Sequence, residues 1–232
     1  MSGPFSLSIV IPAYNEEEII LSSVQQTLDA VQAAVADFEI IIVDDCSRDS
    51  TKALIEANIN KWPSTRLVCN AQNGGFGAAV WTGLQAATKE YVLCVPVDSP
   101  MDTETLAPFI AAAPTTDVIS SFRVKRVGYT NRMRFNSWAY HKLIGWVFGL
   151  KLKDYNWIHL YRRVIFDKVH YQSRGIFMMA EVLVEAHKHG YRIAEIPVDQ
   201  KQRMTGIATS AKLSTILFVL EEMYAYLKRK KA

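Results

Sequence analysis

Apolar runs and helical repeats alternate along the first hundred residues. Residues 7–12 and 38–43 are mostly apolar runs, interrupted by Ser8 and Glu39, and such runs are typical of strands buried on both faces of a sheet. Between them, residues 16–36 place apolar side chains three and four positions apart, as an amphipathic helix does. The same reading predicts helices over 51–59 and 78–89 and strands over 66–69 and 91–95. This alternation predicts an α/β fold: a mostly parallel, Rossmann-like sheet flanked by helices on both faces.

The second half of the chain continues with less regular spacing. It predicts helices over 103–112, 131–150 and 179–189 and strands over 118–122, 158–162 and 192–198. We expect one domain over 1–210, followed at 211–232 by an amphipathic helix with a basic tail. That helix suits two roles equally: lying on an anionic membrane surface, or packing on the domain.

Composition narrows the classes of protein. The chain has 232 residues, 50% of them hydrophobic and 21% charged, as in ordinary globular enzymes. A net charge of +3 is too small to predict nucleic-acid binding. No apolar stretch approaches the length of a transmembrane helix, and we expect no signal peptide. The expected location is cytoplasmic, with peripheral contact at the inner face of a membrane.

Polar residues follow the strands of the predicted sheet where each strand ends. They are the run Pro12–Glu16, Asp45, the loop Asn73–Gly75, and Asp98. In parallel sheets ligands bind beyond the carboxyl ends of the strands. The sequence therefore predicts one binding site at this edge.

Three motifs carry a family resemblance. Ile-Pro-Ala-Tyr-Asn-Glu at 11–16, Ile-Val-Asp-Asp-Cys-Ser-Arg-Asp-Ser-Thr at 42–51 and Asn-Gly-Gly-Phe-Gly-Ala at 73–78 resemble family 2 glycosyltransferases. These are inverting enzymes of the GT-A fold. The chain is most similar to the dolichol-phosphate mannose and glucose synthases and their bacterial polyprenyl-phosphate relatives. The similarity continues through 181–197 and 203–206.

The resemblance implies a nucleotide-sugar site, with a UDP- or GDP-linked donor. Pro12 and Tyr14 would form an apolar rim, and Glu16 would accept hydrogen bonds from ribose hydroxyls. Asp45 would accept the imino hydrogen of the base, and Gly74 would let the backbone approach the ligand. A structural alternative is that Glu16 and Asp45 cap helices and that the glycines form a plain turn.

The resemblance also implies a divalent metal, Mg²⁺ or Mn²⁺, held against the diphosphate by an Asp-x-Asp element. Asp98 matches its second acid, but Pro96 occupies the place of the first and Pro100 that of a further ligand. Asp98 is thus the one clear metal ligand, with Asp102 as a substitute from a displaced loop.

Basic residues would hold the phosphates. Arg123 and Arg203 resemble arginines of the synthase branch, and Arg132 and Arg134 precede an aromatic helix. The alternative is a solvated basic face. The branch also has an aspartate here, Asp154, but the small residues that normally follow it are replaced by bulky ones.

The acceptor decides whether a general base is needed. A hydroxyl acceptor must lose a proton, and Glu181 is the candidate base, unless it only begins a helix. A lipid phosphate is already a nucleophile at neutral pH. Asp98, Arg123, Arg203 and Glu181 are therefore the candidate catalytic residues.

The expected function is inverting transfer of a sugar from a nucleotide-diphosphate donor to polyprenyl phosphate at the cytosolic membrane face. Two alternatives stay open. One is a glycosyltransferase with a saccharide or other hydroxyl acceptor. The other is a non-catalytic nucleotide-sugar-binding protein, which the missing first acid at Pro96 suggests.

Overall fold

The computed structural model describes residues 5–124, 129–199 and 213–229. Strands and helices alternate along most of the chain. In order, the elements are β1 (Ser6–Ala13), α1 (Ile20–Ala34), β2 (Asp37–Asp44), α2 (Thr51–Asn58), β3 (Thr65–Cys69), α3 (Phe76–Ala86), β4 (Tyr91–Cys94), α4 (Thr103–Ala112), β5 (Val118–Arg123), α5 (Asn131–Phe148), β6 (His159–Arg162), α6 (Phe177–Lys188), β7 (Ile193–Val198) and α7 (Leu213–Arg229).

The strands form one sheet in the order β3-β2-β1-β4-β6-β5-β7. Every neighbouring pair is parallel except those of β6, which runs antiparallel to both β4 and β5. The reversed strand separates a parallel β3-β2-β1-β4 half from a parallel β5-β7 pair. The predicted mostly parallel α/β sheet is confirmed.

Each face of the sheet buries its own apolar core. Ile9 and Ile11 pack in one core with side chains of α1, α2 and α4. Val10, between them, packs in the other core with side chains of α3, α6 and α7. Successive side chains of a strand point to opposite faces, so a strand covered on both sides is mostly apolar. This explains the composition of β1 and β2, whose buried polar residues Ser8 and Glu39 satisfy each other: Ser8 Oγ donates to Glu39 Oε1 at 2.7 Å.

The helix predicted from residue 16 begins later, at Ile20. The segment before it is a turn in which Asn15 has a φ of 55°. The Asn15 amide donates to Ser47 Oγ at 3.1 Å, and the Glu16 amide donates to Thr51 Oγ1 at 2.7 Å. These amides are satisfied by side chains that follow β2, so the turn does not need helical hydrogen bonds.

The C-terminal helix packs on the domain. Its Val219, Met223 and Tyr226 are buried in the core that contains α6. Its other side exposes Leu217, Phe218, Leu220 and Tyr224. Among the described residues, no helix has the length and apolar character needed to cross a bilayer.

Close packing of α3 on β1 depends on Gly83. A Cβ at this position would lie 2.2 Å from Val10 Cγ1, well inside van der Waals contact. We expect Gly83→Ala to destabilise the fold by about 1–3 kcal/mol, because overpacking a rigid core outweighs the helix propensity of alanine. Urea unfolding measures this change. Gly145→Ala in α5 is the matched control, since its Cβ would approach nothing closer than 3.4 Å. Equal stability of the two variants would contradict the packing account.

Candidate functional site

The carboxyl ends of the three central parallel strands meet at one edge of the sheet. The backbone continues this pairing past the strands. Asp45 N donates to Ala13 O at 2.9 Å, and Val95 N donates to Val10 O at 2.9 Å. Thus the turn after β1, the acidic end of β2 and the segment leading to Asp98 lie side by side.

Asp45 holds the loop of residues 73–77, called here the glycine loop. Its carboxylate accepts hydrogen bonds from Asn70 Nδ2 at 2.7 Å, Gly74 N at 3.1 Å and Gly75 N at 2.8 Å. The side chain is only 2% exposed. Sequence reasoning did not foresee this contact, although an acid at a strand end and a following pair of glycines were both visible. Recognition of a base by Asp45 stays a prediction.

The glycines of this loop are required by the protein's own packing. Gly75 has a φ of +84°, and a Cβ there would lie 3.1 Å from Arg174 O. A Cβ on Gly77 would lie 2.4 Å from Ser173 O, and Gly77 N donates to Arg174 O at 2.7 Å. The loop therefore presses against the backbone of 173–174 at the start of α3.

Glu16 lies close enough to Asp98 for the negative charge of Asp98 to affect its ionisation. Burial raises the pKa of Glu16, and the negative charges of Asp98 and Asp49 raise it further. Of the expected apolar rim, Tyr14 is 38% exposed, whereas Pro12 is buried within β1. Tyr14 is thus the member of the rim that stands open to a ligand.

The donor set at Asp98 fits a divalent cation only in part. The negative charge of Asp98, which adds to burial in raising the pKa of Glu16, is one that a bound cation would offset. Asp102, the possible substitute ligand, instead begins α4: its Oδ1 accepts from Thr105 N at 2.8 Å. Within the described ranges, no group of three His, Cys, Asp or Glu side chains is arranged to hold a metal. Phosphate oxygens of a ligand would have to complete the coordination.

Arg123 forms a buried ion pair with Asp154. Its Nε and Nη2 each lie 2.8 Å from Asp154 Oδ2, and its Nη1 donates to the Tyr129 hydroxyl at 2.8 Å. The Arg123 guanidinium stacks on Trp157, with its Cζ 4.8 Å from the centre of the tryptophan ring. His141 Nε2 lies 3.2 Å from Asp154 Oδ1.

This network fixes the charge of Asp154. Burial raises the pKa of Asp154, but the hydrogen bond with His141 and the guanidinium of Arg123 outweigh burial and hold it well below its usual range. Because Arg123 is nearly buried and bonded to Asp154, its contact with a phosphate stays a prediction. Arg203 lies outside the described residues. His159 of β6 is packed in the interior, and burial lowers its pKa to about 4.

Glu181 supports a loop in this structure. It is buried, and its carboxylate accepts from Gln172 N at 3.3 Å and Ser173 N at 3.1 Å. Ser173 Oγ also donates to it, and Arg229 Nη2 of α7 lies 3.0 Å away. These contacts describe an anchored carboxylate. Its role as a general base stays a prediction.

A cavity of about 620 Å³ lies between α5 and the segment that follows it, and is called here the basic groove. Its lining combines cationic and aromatic side chains: Arg134, Lys142, Lys151, Lys153, Trp138 and Trp146. Trp138 and Trp146 are 57% and 84% exposed. No acidic residue occurs in α5. Sequence analysis noted Arg134 and the aromatic character of this helix but did not identify the lysines or the cavity.

Comparison with known proteins identifies the family. The profile of Glycosyl transferase family 2 matches residues 8–187, which contain the strand-end residues described above. The chain belongs to this family, as the sequence motifs predicted.

Relatives and solved structures agree with this assignment. Undecaprenyl-phosphate 4-deoxy-4-formamido-L-arabinose transferases of Pseudomonas fluorescens and Sodalis glossinidius are each 29% identical over 205 residues, 86% of this chain. The chain spans 58% and 61% of their lengths. Glucosyl-3-phosphoglycerate synthase of Mycobacterium tuberculosis, solved with Mn²⁺, UDP and phosphoglyceric acid, superposes with a TM-score of 0.71 at 18% identity. That match covers 95% of this chain and 78% of the synthase, and confirms the GT-A fold.

Burial of Glu16 near Asp98 and Asp49 predicts a pH-dependent effect of Glu16 on thermal stability. A carboxyl whose pKa is raised on folding stabilises the fold when protonated, and this stability is lost as the pH rises through the folded pKa. We expect Glu16→Gln to raise the melting temperature at pH 7 by about 2 °C, with the difference vanishing near pH 4. Thermal unfolding across this pH range measures it. Glu18→Gln, an exposed neighbour, is the control. A Glu16→Gln variant that melts below the wild type at pH 7 would contradict the prediction.

Proposed function

We propose that this protein transfers a sugar from a nucleotide diphosphate to a polyprenyl phosphate, with inversion at the anomeric carbon. The observation that carries the proposal is the convergence of Tyr14, Glu16, Asp45 and Asp98 at one edge of the sheet in a family 2 domain. The names of the relatives, which transfer a sugar to undecaprenyl phosphate, support the choice of acceptor.

The donor side of the site consists of these strand ends and the glycine loop. Tyr14 offers the base an aromatic surface, and Glu16 offers acceptors to the ribose. The glycine loop leads directly into α3, so this helix begins at the same edge of the sheet. The amides of Gly74, Gly75 and Gly77 already donate to Asp45 and to the Arg174 carbonyl. Asp98 would hold Mg²⁺ or Mn²⁺, which supplies compensation for charge that develops on the departing diphosphate.

The acceptor side is the basic groove. Four cationic side chains around one cavity suit the phosphate of the acceptor, and Trp138 and Trp146 suit its prenyl chain. A lipid phosphate attacks without a general base, because its last pKa is about 6. This agrees with the position of Glu181, whose carboxylate is engaged by Ser173 and Arg229.

We place the reaction at the cytosolic face of a membrane. The exposed tryptophans of α5 share the basic groove with cationic side chains, and this combination is suited to the boundary between headgroups and acyl chains. The exposed apolar side of α7 offers a second contact with the same surface.

Asp98 provides the direct test of catalysis. We expect the wild type to transfer sugar from a labelled UDP- or GDP-linked donor to a short prenyl phosphate, with dependence on Mn²⁺ or Mg²⁺. Asp98→Asn should lower kcat at least about a hundredfold, because metal-assisted charge compensation contributes several kcal/mol. Glu104→Gln, exposed on α4, is the matched loss of one negative charge.

The acceptor range separates the proposal from its rivals. Turnover with saccharides and none with prenyl phosphate would establish the hydroxyl-acceptor alternative. Binding of donor without transfer or hydrolysis would establish a non-catalytic nucleotide-sugar-binding protein. Full activity of Asp98→Asn would refute the proposed role of Asp98.

The basic groove generates a separate prediction. The double variant Arg134→Glu with Lys142→Glu should raise KM for the prenyl phosphate about tenfold or more, and leave KM for the nucleotide sugar unchanged, because reversed charges repel the acceptor phosphate. Steady-state kinetics with each substrate varied in turn measure this split. Lys168→Glu combined with Arg163→Glu reverses two exposed charges outside the groove and serves as the control. An equal effect on both substrates would place the acceptor elsewhere.

A further inference from the structure

The strand-end site is linked to the C-terminal helix α7 by a continuous chain of hydrogen bonds. The link passes through residues 172–175, called here the bridge segment, which lie between the 3-10 helix Arg163–Asp167 after β6 and the start of α6. On one side the bridge segment touches the glycine loop, and on the other it touches α7. Nothing in the sequence motifs of the donor site includes α7.

The contact between bridge segment and glycine loop is made by backbone atoms. Arg174 O accepts from Gly77 N at 2.7 Å, and the same carbonyl lies against Gly75. The Tyr171 hydroxyl, just before the segment, donates to Gly77 O at 2.8 Å. Any displacement of the bridge segment therefore moves the glycine loop and the first turn of α3.

The contact between bridge segment and α7 is made by Glu222. Its Oε1 accepts from Arg174 N at 2.6 Å and from Gly175 N at 2.8 Å. Gly175 permits the approach: a Cβ there would lie 2.6 Å from Phe218 Cε1 and 2.9 Å from Glu222 Oε2. One carboxylate oxygen of α7 thus fixes two successive amides of the bridge segment.

A second tie holds α7 in place. Arg229 Nη2 lies 3.0 Å from Glu181, which also accepts from two backbone amides of the bridge segment, those of Gln172 and Ser173. Every amide of the bridge segment is therefore bonded to a carboxylate of α6 or α7. The segment has little freedom while α7 is docked.

We propose that Glu222 is a positioning residue for the donor site, and that α7 sets nucleotide affinity by holding the bridge segment against the glycine loop. The inference rests on the proposed function, because it takes the glycine loop to contact the donor. Loss of the Glu222 contact frees the amides of Arg174 and Gly175, loosens the carbonyl that pairs with Gly77, and adds an ordering cost to nucleotide binding.

Substitutions at Glu222 distinguish positioning from simple stability. Glu222→Ala removes both hydrogen bonds, whereas Glu222→Gln keeps an oxygen that can accept them. Burial and the nearby Glu181 raise the pKa of Glu222, and Glu222→Gln removes the charge while it keeps the shape of the side chain. Glu221→Ala changes an exposed carboxylate on the same helix and is the matched control.

Two measurements on the full chain test the proposal. Calorimetric titration with UDP and with GDP, each with Mn²⁺, should give a Kd about tenfold weaker for Glu222→Ala. Glu222→Gln and Glu221→Ala should bind as the wild type does. Amide hydrogen exchange of the unliganded proteins should show faster exchange over residues 73–77 in Glu222→Ala, with the amides of β1 and β2 as the internal reference for global stability.

A second variant tests the same contact independently, in case Glu222→Ala does not fold. Gly175→Ala should likewise weaken nucleotide binding, because its methyl group displaces Phe218 and Glu222, and adding Phe218→Ala should restore part of the affinity. Unchanged exchange over 73–77 in Glu222→Ala would overturn the coupling, even if no nucleotide binds the wild type. Wild-type Kd in Glu222→Ala, despite faster exchange, would overturn the link to affinity. Failure of the wild type to bind any nucleotide would instead refute the proposed function.

Discussion

The geometry of the strand-end site depends on one buried carboxylate. Asp45 ends the second strand, and its two oxygens accept the amides of Gly74 and Gly75 together with the Asn70 side chain. An ionised carboxylate that accepts several N–H groups is a strong acceptor in a buried setting. It fixes the glycine loop to the sheet edge and thereby orients the start of α3. The remaining strand ends supply the groups that line this edge.

The proposed donor and acceptor sites carry opposite charges. Burial and the negative charges of Asp98 and Asp49 raise the pKa of Glu16, and a cation bound with a diphosphate would offset those charges. The basic groove beside α5 is cationic and aromatic, which suits a phosphate on an apolar chain. The Arg123–Asp154 ion pair joins β5 to the segment after α5.

Much of this architecture was predictable from sequence. Mostly apolar runs such as those of β1 and β2 identify strands covered on both faces, and the polar residues after them mark the binding edge. The antiparallel direction of β6 was not predictable, because a short strand has the same apolar pattern in either direction. The sequence pattern also did not predict the hydrogen bonds and ion pairs made by Glu181, Arg123 and Glu222. Each depends on a partner more than thirty residues away, or on a loop with no pattern of its own.

We propose above all that a nucleotide diphosphate binds at the sheet edge formed by Tyr14, Glu16, Asp45 and Asp98. A crystal structure of the protein grown with Mn²⁺ and either UDP or GDP tests it most directly. We expect the base beside Tyr14 and Asp45, the ribose within hydrogen-bonding distance of Glu16, and Mn²⁺ between Asp98 and the phosphates. A nucleotide bound elsewhere on the protein, with this edge empty, would contradict the account.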